Sequence, residues 1–539
     1  MSQPPGQKEA TALRAELPEL SPEYIAQMYP SHLRLVQAQV FFRHGERTPV
    51  KARLFEKREW PFCLRANYLH SEFMKAINQF VPREEAMPVP DSDQMKAKGR
   101  DTRYTKRTRT RKAGLEYEPA KWSVRLCPGS DANSAADSES IISEWNPKLC
   151  DIGQLSDMGL DSLARAGQFM RTLYVDKLGF LPREPQKASE WLYVRSTDYS
   201  RVLQSTYALL SSLYPTALPF NKEFLSMFPI HTRLHRNETM HGNFACYNFI
   251  KHYVNSDINE ARKLKWINDV YLQTIQLESI GARSKKILDA VYFGSTFHPV
   301  YDELMSMAAH NIELPADISP GHIEALGRVA HHQWTGRISY LDGQRLGFGR
   351  LVNDLVQTMA QAAALPENAS ARPAIGPQRQ GDVLLSPNGV REETEAEIPR
   401  VPKLALYGGH DITVAPLAII MGSTSKDWLP FASMLTFELF KDTQTTPPLA
   451  LANKQQHQKA EKLPRPYSVQ ENLDTSGYFV RVRLNDEVLR IPTCEPIQKH
   501  HPKMGPSMCT LAAFFEHLEP IVATEQEYKN ECGEMPQFE

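Results

Sequence analysis

Two guanidiniums flank one imidazole in the run Arg43-His44-Gly45-Glu46-Arg47-Thr48-Pro49. Arginine forks match phosphate oxygens with paired hydrogen bonds and keep their charge at every pH of interest. An imidazole nitrogen between them is a nucleophile inside an anion pocket, which suggests phosphoryl transfer through a phosphohistidine. The plainer alternative is a basic strand end with a surface histidine. A second constellation downstream, Tyr407-Gly408-Gly409-His410-Asp411-Ile412-Thr413, argues against it. A His-Asp pair alone is weak evidence, and it gains its value from the pairing with Arg43 and His44. Between the two, Trp191-Leu192-Tyr193-Val194-Arg195-Ser196-Thr197-Asp198 offers Arg195 as a further phosphate-facing cation. Its alternative is a surface arginine paired with Asp198.

Each constellation follows a short apolar run with the look of a buried strand: 35–42, 191–195 and 403–407. In open α/β sheets ligands bind beyond the carboxyl ends of the strands, so these strand ends could meet at one site. Apolar residues at helical spacing from Leu155 to Tyr174 predict a helix packed on the sheet, and 199–213 and 350–364 predict two more. The expected fold class is α/β, a mainly parallel sheet with helices on both faces. Residues 1–34 read as a lead-in with a short helix near Pro22 to Tyr29. The core takes 35–50, 151–214 and 346–539, with mobile insertions at 365–400 and 442–467. Residues 51–150 and 215–345 form a smaller α-helical cap and excursions, including a basic loop at 93–140. Strands are expected at 434–440 and 478–484, with a hairpin completed by Val488 to Ile491.

The Arg-His-Gly-x-Arg-x-Pro run resembles the signature of the histidine acid phosphatases, branch two of the histidine phosphatase superfamily. Arg195-Ser196-Thr197-Asp198 with Arg201 and Ser205 is similar to that family's middle motif, and His410-Asp411 to its late His-Asp motif. Glu46 is similar to the Arg-His-Gly-Glu of branch-one enzymes, whereas Arg47 and Pro49 follow the acid phosphatase pattern. The resemblance runs from about Leu35 to about Cys532. Glu144-Trp145-Asn146-Pro147, Ala309-His310-Asn311 and Trp428 to Ser433 are most similar to the lysophosphatidic acid phosphatase subgroup.

That resemblance implies a phosphoglycerate-mutase-like core and a metal-independent phosphomonoesterase with no cofactor. His44 would be the nucleophile and Asp411 the proton donor to the leaving group. Arg43, Arg47, Arg195 and His410 would bind the phosphoryl oxygens. The substrate would be a phosphate monoester, with a lysophospholipid as the finer expectation. The alternatives are a general or phytase-like acid phosphatase and, below both, a non-catalytic phosphate-binding or scaffold protein. A phytase needs a wide basic pocket, whereas a lipid phosphatase needs an apolar channel.

The formal net charge is -1 over 539 residues, so nothing global favours nucleic acid or an anionic membrane as partner. The cations Lys96, Lys98, Arg100, Arg103, Lys106, Arg107, Arg109, Arg111 and Lys112 read as a solvated loop rather than a nucleic-acid patch. No apolar run approaches the ~20 residues needed to span a bilayer. The acidic N-terminus has no apolar signal region, which predicts an intracellular protein, in the cytoplasm or alternatively the mitochondrion. The seven cysteines are widely spaced and show no zinc pattern. Thiols are expected in a reducing cytosol, although secreted relatives of the resembled family carry disulfides in the region of Cys494, Cys509 and Cys532. The sequons at Asn237 and Asn368 are read as incidental.

Overall fold

The computed structural model describes residues 15–51, 53–55, 58–80, 146, 148–215, 222–242, 246–255, 264–289, 297–365, 382–386, 389–392, 401–444 and 473–533. The basic run 96–112 and most of the 442–467 segment lie outside these residues.

Among the described residues eleven strands join one mixed sheet. In chain order they are β1 (Leu33–Arg43), β2 (Leu192–Ser196), β3 (Ile230–Arg233), β4 (Asp382–Ser386), β5 (Gly389–Glu392) and β6 (Leu404–Gly409), then β7 (Met434–Asp442), β8 (Tyr478–Leu484), β9 (Glu487–Val488), β10 (His500–His501) and β11 (Gly505–Thr510). The spatial order is β10-β11-β8-β7-β1-β6-β2-β3-β4-β5, with β9 paired to β8. The central strands are parallel. β6 lies between β1 and β2, with Ala38 opposite Leu404 and Arg43 opposite Gly409 on one side. On the other side Leu192 faces Leu404 and Ser196 faces Gly408. β3 is parallel to β2, and the outer strands β7, β8 and β4 run antiparallel to their neighbours.

The central strands are apolar throughout because both faces are covered. Successive side chains of β1 enter opposite cores. Phe41 packs with Tyr407 and with the helix Leu341–Ala364 on one face. Val40 and Phe42 pack with Leu163, Leu203 and Leu209 from the helices Asp157–Met170 and Ser200–Leu213 on the other. The helices Lys265–Gln276, Gly281–Leu288, His298–Ala309 and Pro320–Thr335 share a third apolar core around Leu304, Leu326 and Val329.

Two expectations change. Residues 382–386 and 389–392, inside the segment read as a mobile insertion, form an antiparallel pair that extends the sheet beyond β3. The hairpin is local, but its docking on β3, with Ile230 opposite Leu385, is a long-range backbone match that no local periodicity announces. The cysteines expected as thiols are paired: Cys63 with Cys150, Cys246 with Cys532, and Cys494 with Cys509. The partners are separated by 87, 286 and 15 residues, so the fold rather than local spacing brings them together. Cys127 lies outside the described residues. Among those residues no helix is long and apolar enough to cross a membrane.

A buried charge cluster ties β7 to β8. The carboxylate of Glu438 accepts from Arg481 Nη2 at 2.8 Å and Nε at 3.0 Å, and from the Tyr29 and Tyr174 hydroxyls at 2.6 and 3.1 Å. Arg483 is the fourth donor residue in the same group of contacts, with Nη2 at 3.3 Å from Glu438 Oε1. Burial pushes Glu438 up, but Arg481 and Arg483 outweigh it and hold the carboxyl at about 2. Removing one member strands the others in a dry site, so Glu438→Ala is predicted to cost ~3–5 kcal/mol of unfolding free energy at pH 7. Because the folded value lies below the unfolded one, this contribution is present above the ordinary carboxyl range and is lost as pH falls towards 2. Chemical denaturation at pH 7 and below 4 should show the gap between wild type and variant narrowing with acid.

Candidate active site

Arg43 is the last residue of β1, and its backbone N–H donates to Ser433 O at 2.9 Å. His44 follows, its N–H bonded to Gly409 O at 3.1 Å, so the β1 and β6 ends are stitched together where both carry chemistry. β2 ends beside them, with Thr197 N–H donating to Gly408 O at 3.0 Å. The parallel register thus places Arg43, His44, His410 and Asp411 at one edge of the sheet. Gly45 is needed for space. A Cβ there would come within 2.2 Å of Gly159 O, where the loop crosses the start of the Asp157–Met170 helix. The turning role expected of it from sequence is secondary, since its φ is not in the left-handed region.

The His44 ring is buried and lies 5.5 Å from that of His410. His44 Nδ1 is 2.8 Å from Gly45 O, and a carbonyl can only accept. The Nδ1 proton is therefore engaged, and in the neutral ring the lone pair is on Nε2. Burial drives both imidazoles well below the ordinary histidine range, and the positive field of Arg201 is the next cause for each. His410 Nε2 lies 3.0 Å from Thr197 Oγ1.

Charges around these rings are buried and nearly balanced. Arg43 Nη2 pairs with Asp411 Oδ2 at 2.8 Å. Arg47 grips Asp302 with Nη2 at 2.8 Å and Nη1 at 3.1 Å. Burial pushes the Asp411 carboxyl up, but Arg43, His298 and Arg47 outweigh that and hold it far below the usual range. Arg201 has no such carboxylate partner among the described residues. Its Nε is buried without a hydrogen bond, and burial pulls the group down to about 10. With both histidines neutral, three guanidiniums face two carboxylates. Arg201 is half-buried and lies 4.7 Å from the Tyr199 ring centroid, and a bound anion would give it the counter-charge it lacks.

Arg195, expected among these groups, is committed to a neighbouring network. Its guanidinium pairs with Glu238 at 2.5 Å, bonds Thr239 Oγ1 at 3.0 Å and approaches Asp354 at 3.7 Å. Arg201, rather than Arg195, is the guanidinium from this motif whose field acts on both His44 and His410. The signal was available: six residues past Arg195, it falls in the first turn of the helix that β2 feeds. Asp302 and Glu303 carried no sequence signal. Asp302 also accepts from Val50 N–H at 2.8 Å, and Glu303 accepts from the N–H groups of Arg53, Leu54 and Phe55 at 2.8–2.9 Å. One helix turn thus clamps the loop that carries Arg47.

The segment 428–433 forms the facing wall. Arg43 Nη1 donates to Leu429 O, and its guanidinium lies 4.2 Å from the Phe431 ring centroid. Trp428 Nε1 donates to Asp411 Oδ2 at 3.2 Å. Beside Asp411 a small pocket is lined mainly by Phe249, Trp334, Ile338, Phe348, Pro416 and Trp428, with His331 and Thr335 among its few polar groups. No lysine or arginine lines it.

One grouping of described residues has the composition of a metal site. His32, Asp442 and His501 hold ligand atoms within 4.8 Å of one another. His501 Nδ1, however, accepts from Lys503 and Met504 N–H at 3.1 and 3.2 Å. Its proton therefore sits on Nε2, which donates to Asp442 at 3.2 Å and has no lone pair for a cation.

Residues 34–291 match the family model described as the histidine phosphatase superfamily, branch 2. A probable acid phosphatase of Schizosaccharomyces pombe is 23% identical over 429 residues, 77% of this chain and 75% of that one. Human 2-phosphoxylose phosphatase 1 is 23% identical over 437 residues, 80% and 72% of the two chains. Human lysophosphatidic acid phosphatase type 6 is 24% identical over 424 residues, 77% and 76%.

The two arginines are predicted to separate in a titration with inorganic phosphate. Arg201→Ala should weaken binding at least tenfold by removing the unpaired cation. Arg195→Ala should act mainly on stability, because it strands Glu238. Isothermal calorimetry and thermal melts of the two variants would check this, and equal losses of phosphate affinity would contradict it.

Proposed function

The chain belongs to branch 2 of the histidine phosphatase superfamily, and from that premise we propose that it hydrolyses phosphate monoesters through a phosphohistidine on His44. The observation that carries this reading is the neutral His44 ring, its Nε2 lone pair free, in a buried cluster with one unpaired cation. Arg43, Arg47 and Arg201 would take the phosphoryl oxygens, and His410 would donate to one of them as charge shifts in the transition state. Nε2 attacks phosphorus and forms the P–N bond while the ester P–O bond breaks. Asp411 gives its proton to the departing alkoxide. Water then attacks phosphorus, its proton passes to Asp411, and the P–N bond breaks to release phosphate and restore His44.

Asp411 must be protonated for the first step, yet Arg43 holds it ionised in the unliganded site. A phosphate that engages Arg43 takes away the partner keeping Asp411 acidic. Burial, the largest influence on Asp411, already favours the neutral carboxyl. Substrate binding would thus load the acid, and low pH would assist it.

For the substrate, the lining of the cavity beside Asp411 supports an apolar leaving group such as that of a lysophospholipid. The relative named for lysophosphatidic acid points the same way. A phytase-like or general acid phosphatase is the alternative, and a cavity without lysine or arginine disfavours a polyphosphorylated substrate. Retention of both His44 and Asp411 disfavours a non-catalytic scaffold. Three disulfides favour an oxidising compartment over the cytoplasm or mitochondrion expected from the N-terminus.

The test is a metal-free assay with p-nitrophenyl phosphate, a lysophosphatidic acid and phytate. His44→Ala should abolish turnover on all of them, and wild-type rates in that variant would remove the nucleophile assignment. Asp411→Asn should slow alkyl esters far more than the aryl ester, whose leaving group needs no proton. Preference for phytate over the lysophospholipid would overturn the apolar reading of the cavity.

A further inference from the structure

The carboxylate of Asp411 is held at both oxygens. Oδ1 accepts from the N–H of Ile412 at 2.8 Å, and Oδ2 is shared by Arg43 at 2.8 Å and the indole N–H of Trp428 at 3.2 Å. Two of these contacts come from the site's own strand and helix, whereas Trp428 reaches in from the 428–433 segment. Its ring lies 4.9 Å from that of His298 and 5.6 Å from that of Tyr301, and it lines the apolar cavity beside Leu429 and Ile412. One residue therefore touches both the acid and the space where a leaving group would lie.

We propose that Trp428 is a positioning residue for the leaving-group acid: its indole N–H fixes Asp411 Oδ2 while its ring forms the wall against which an apolar leaving group packs. This rests on the reading of Asp411 as the acid. When phosphate draws Arg43 away, Trp428 is the side-chain donor that still holds Oδ2, leaving Oδ1 to turn toward the ester oxygen. The charged and titratable groups facing Asp411 are Arg43 and Arg47 from β1 and its loop, His298 and Tyr301 from the His298–Ala309 helix, Arg201 from the helix after β2, and His410 beside it. Trp428 adds a neutral indole donor to that set, so its removal alters the carboxyl without altering the local charge.

The test compares Trp428→Phe and Trp428→Gln with wild type and Asp411→Asn, on an alkyl and an aryl phosphate monoester across pH. Trp428→Phe keeps an apolar wall and loses the N–H. Its kcat on the alkyl ester should fall on the order of tenfold, the worth of a hydrogen bond to a charged group. The aryl ester should be little affected. Loss of a donor to the carboxylate raises the pKa of Asp411, so the descending limb of the kcat profile should move to higher pH. Trp428→Gln keeps a donor and loses the ring. It should retain the wild-type alkyl-to-aryl ratio and raise KM for apolar esters. Equal loss on both esters with an unmoved limb would mean a merely structural role and would overturn the proposal, as would wild-type kinetics in Trp428→Phe. If Asp411→Asn itself slows both esters equally, the acid assignment has failed and the proposal falls with it. A selective effect in Asp411→Asn with none in Trp428→Phe overturns the proposal alone. If Trp428→Phe does not fold, the alkyl-to-aryl ratio of Trp428→Gln decides, and a ratio as low as that of Asp411→Asn would overturn it.

Discussion

The buried pair between Arg43 and Asp411 is the interaction on which the site depends. It joins the carboxyl ends of β1 and β6, and it holds a proton acceptor and an anion-binding guanidinium against each other. In low dielectric neither charge is tolerable alone. The same pairing explains why Arg47 carries Asp302, whereas the half-buried Arg201 has no carboxylate partner among the described residues. Arg201 leaves the cluster one negative charge short, and in the proposed reaction an incoming phosphate would supply that charge while competing for Arg43. Affinity for the anion and release of the acid would then be two consequences of one imbalance.

Such a pair can be maintained only where backbone geometry is fixed to a few tenths of an ångström. β6 is hydrogen-bonded on both edges, and its register to β1 and β2 runs unbroken to the residues next to the site. Both faces of these strands are covered by apolar packing, so a slip of one residue would exchange the contents of two cores. The contact of Gly45 with Gly159 closes the remaining freedom of the phosphate-facing loop, since a methyl group on either residue would meet backbone within 2.3 Å. Asp302 and Glu303 then secure the loop from the far side with backbone N–H bonds. The rigidity comes from strands and one helix turn, and loops are held rather than trusted.

Much of this was legible in the residues. The strands at the three constellations could be read because buried parallel strands are continuous apolar runs. The helices after them could be read from their 3.6-residue period. His44, His410 and Asp411 stood out because they follow those strands directly. Arg195 shows where that logic stops. A cation at a strand end is equally suited to a phosphate and to a carboxylate, and the deciding residue, Glu238, lies 43 positions away. Arg201 was within the same motif but on the helix, where an arginine usually faces solvent. The hairpin at 382–392 and the cysteine pairs were hidden for a related reason. The docking of the hairpin on β3 and the Cys63–Cys150 and Cys246–Cys532 pairs depend on which distant segments the fold brings together, and a single sequence carries that information only through the complete fold.

The division of labour between elements follows from chemistry. Phosphate is the same in every monoester, so the groups that hold it can be built into the most rigid part of the molecule, the ends of β1 and β6 and the helix after β2. Leaving groups differ, and the residues proposed to face them come from elsewhere: the 428–433 segment, Phe249, and the helices that carry His331 and Phe348. Phe249 lies against Gly242 and Gly347, where any side chain would collide with its ring, and it packs in a small core with the Cys246–Cys532 disulfide. The cavity wall is thus anchored by a covalent link to the C-terminal helix rather than by the sheet. In the proposed reaction, a change there would alter which ester is accepted without disturbing Arg43, His44 or Asp411, because fold and phosphate chemistry do not by themselves fix the ester.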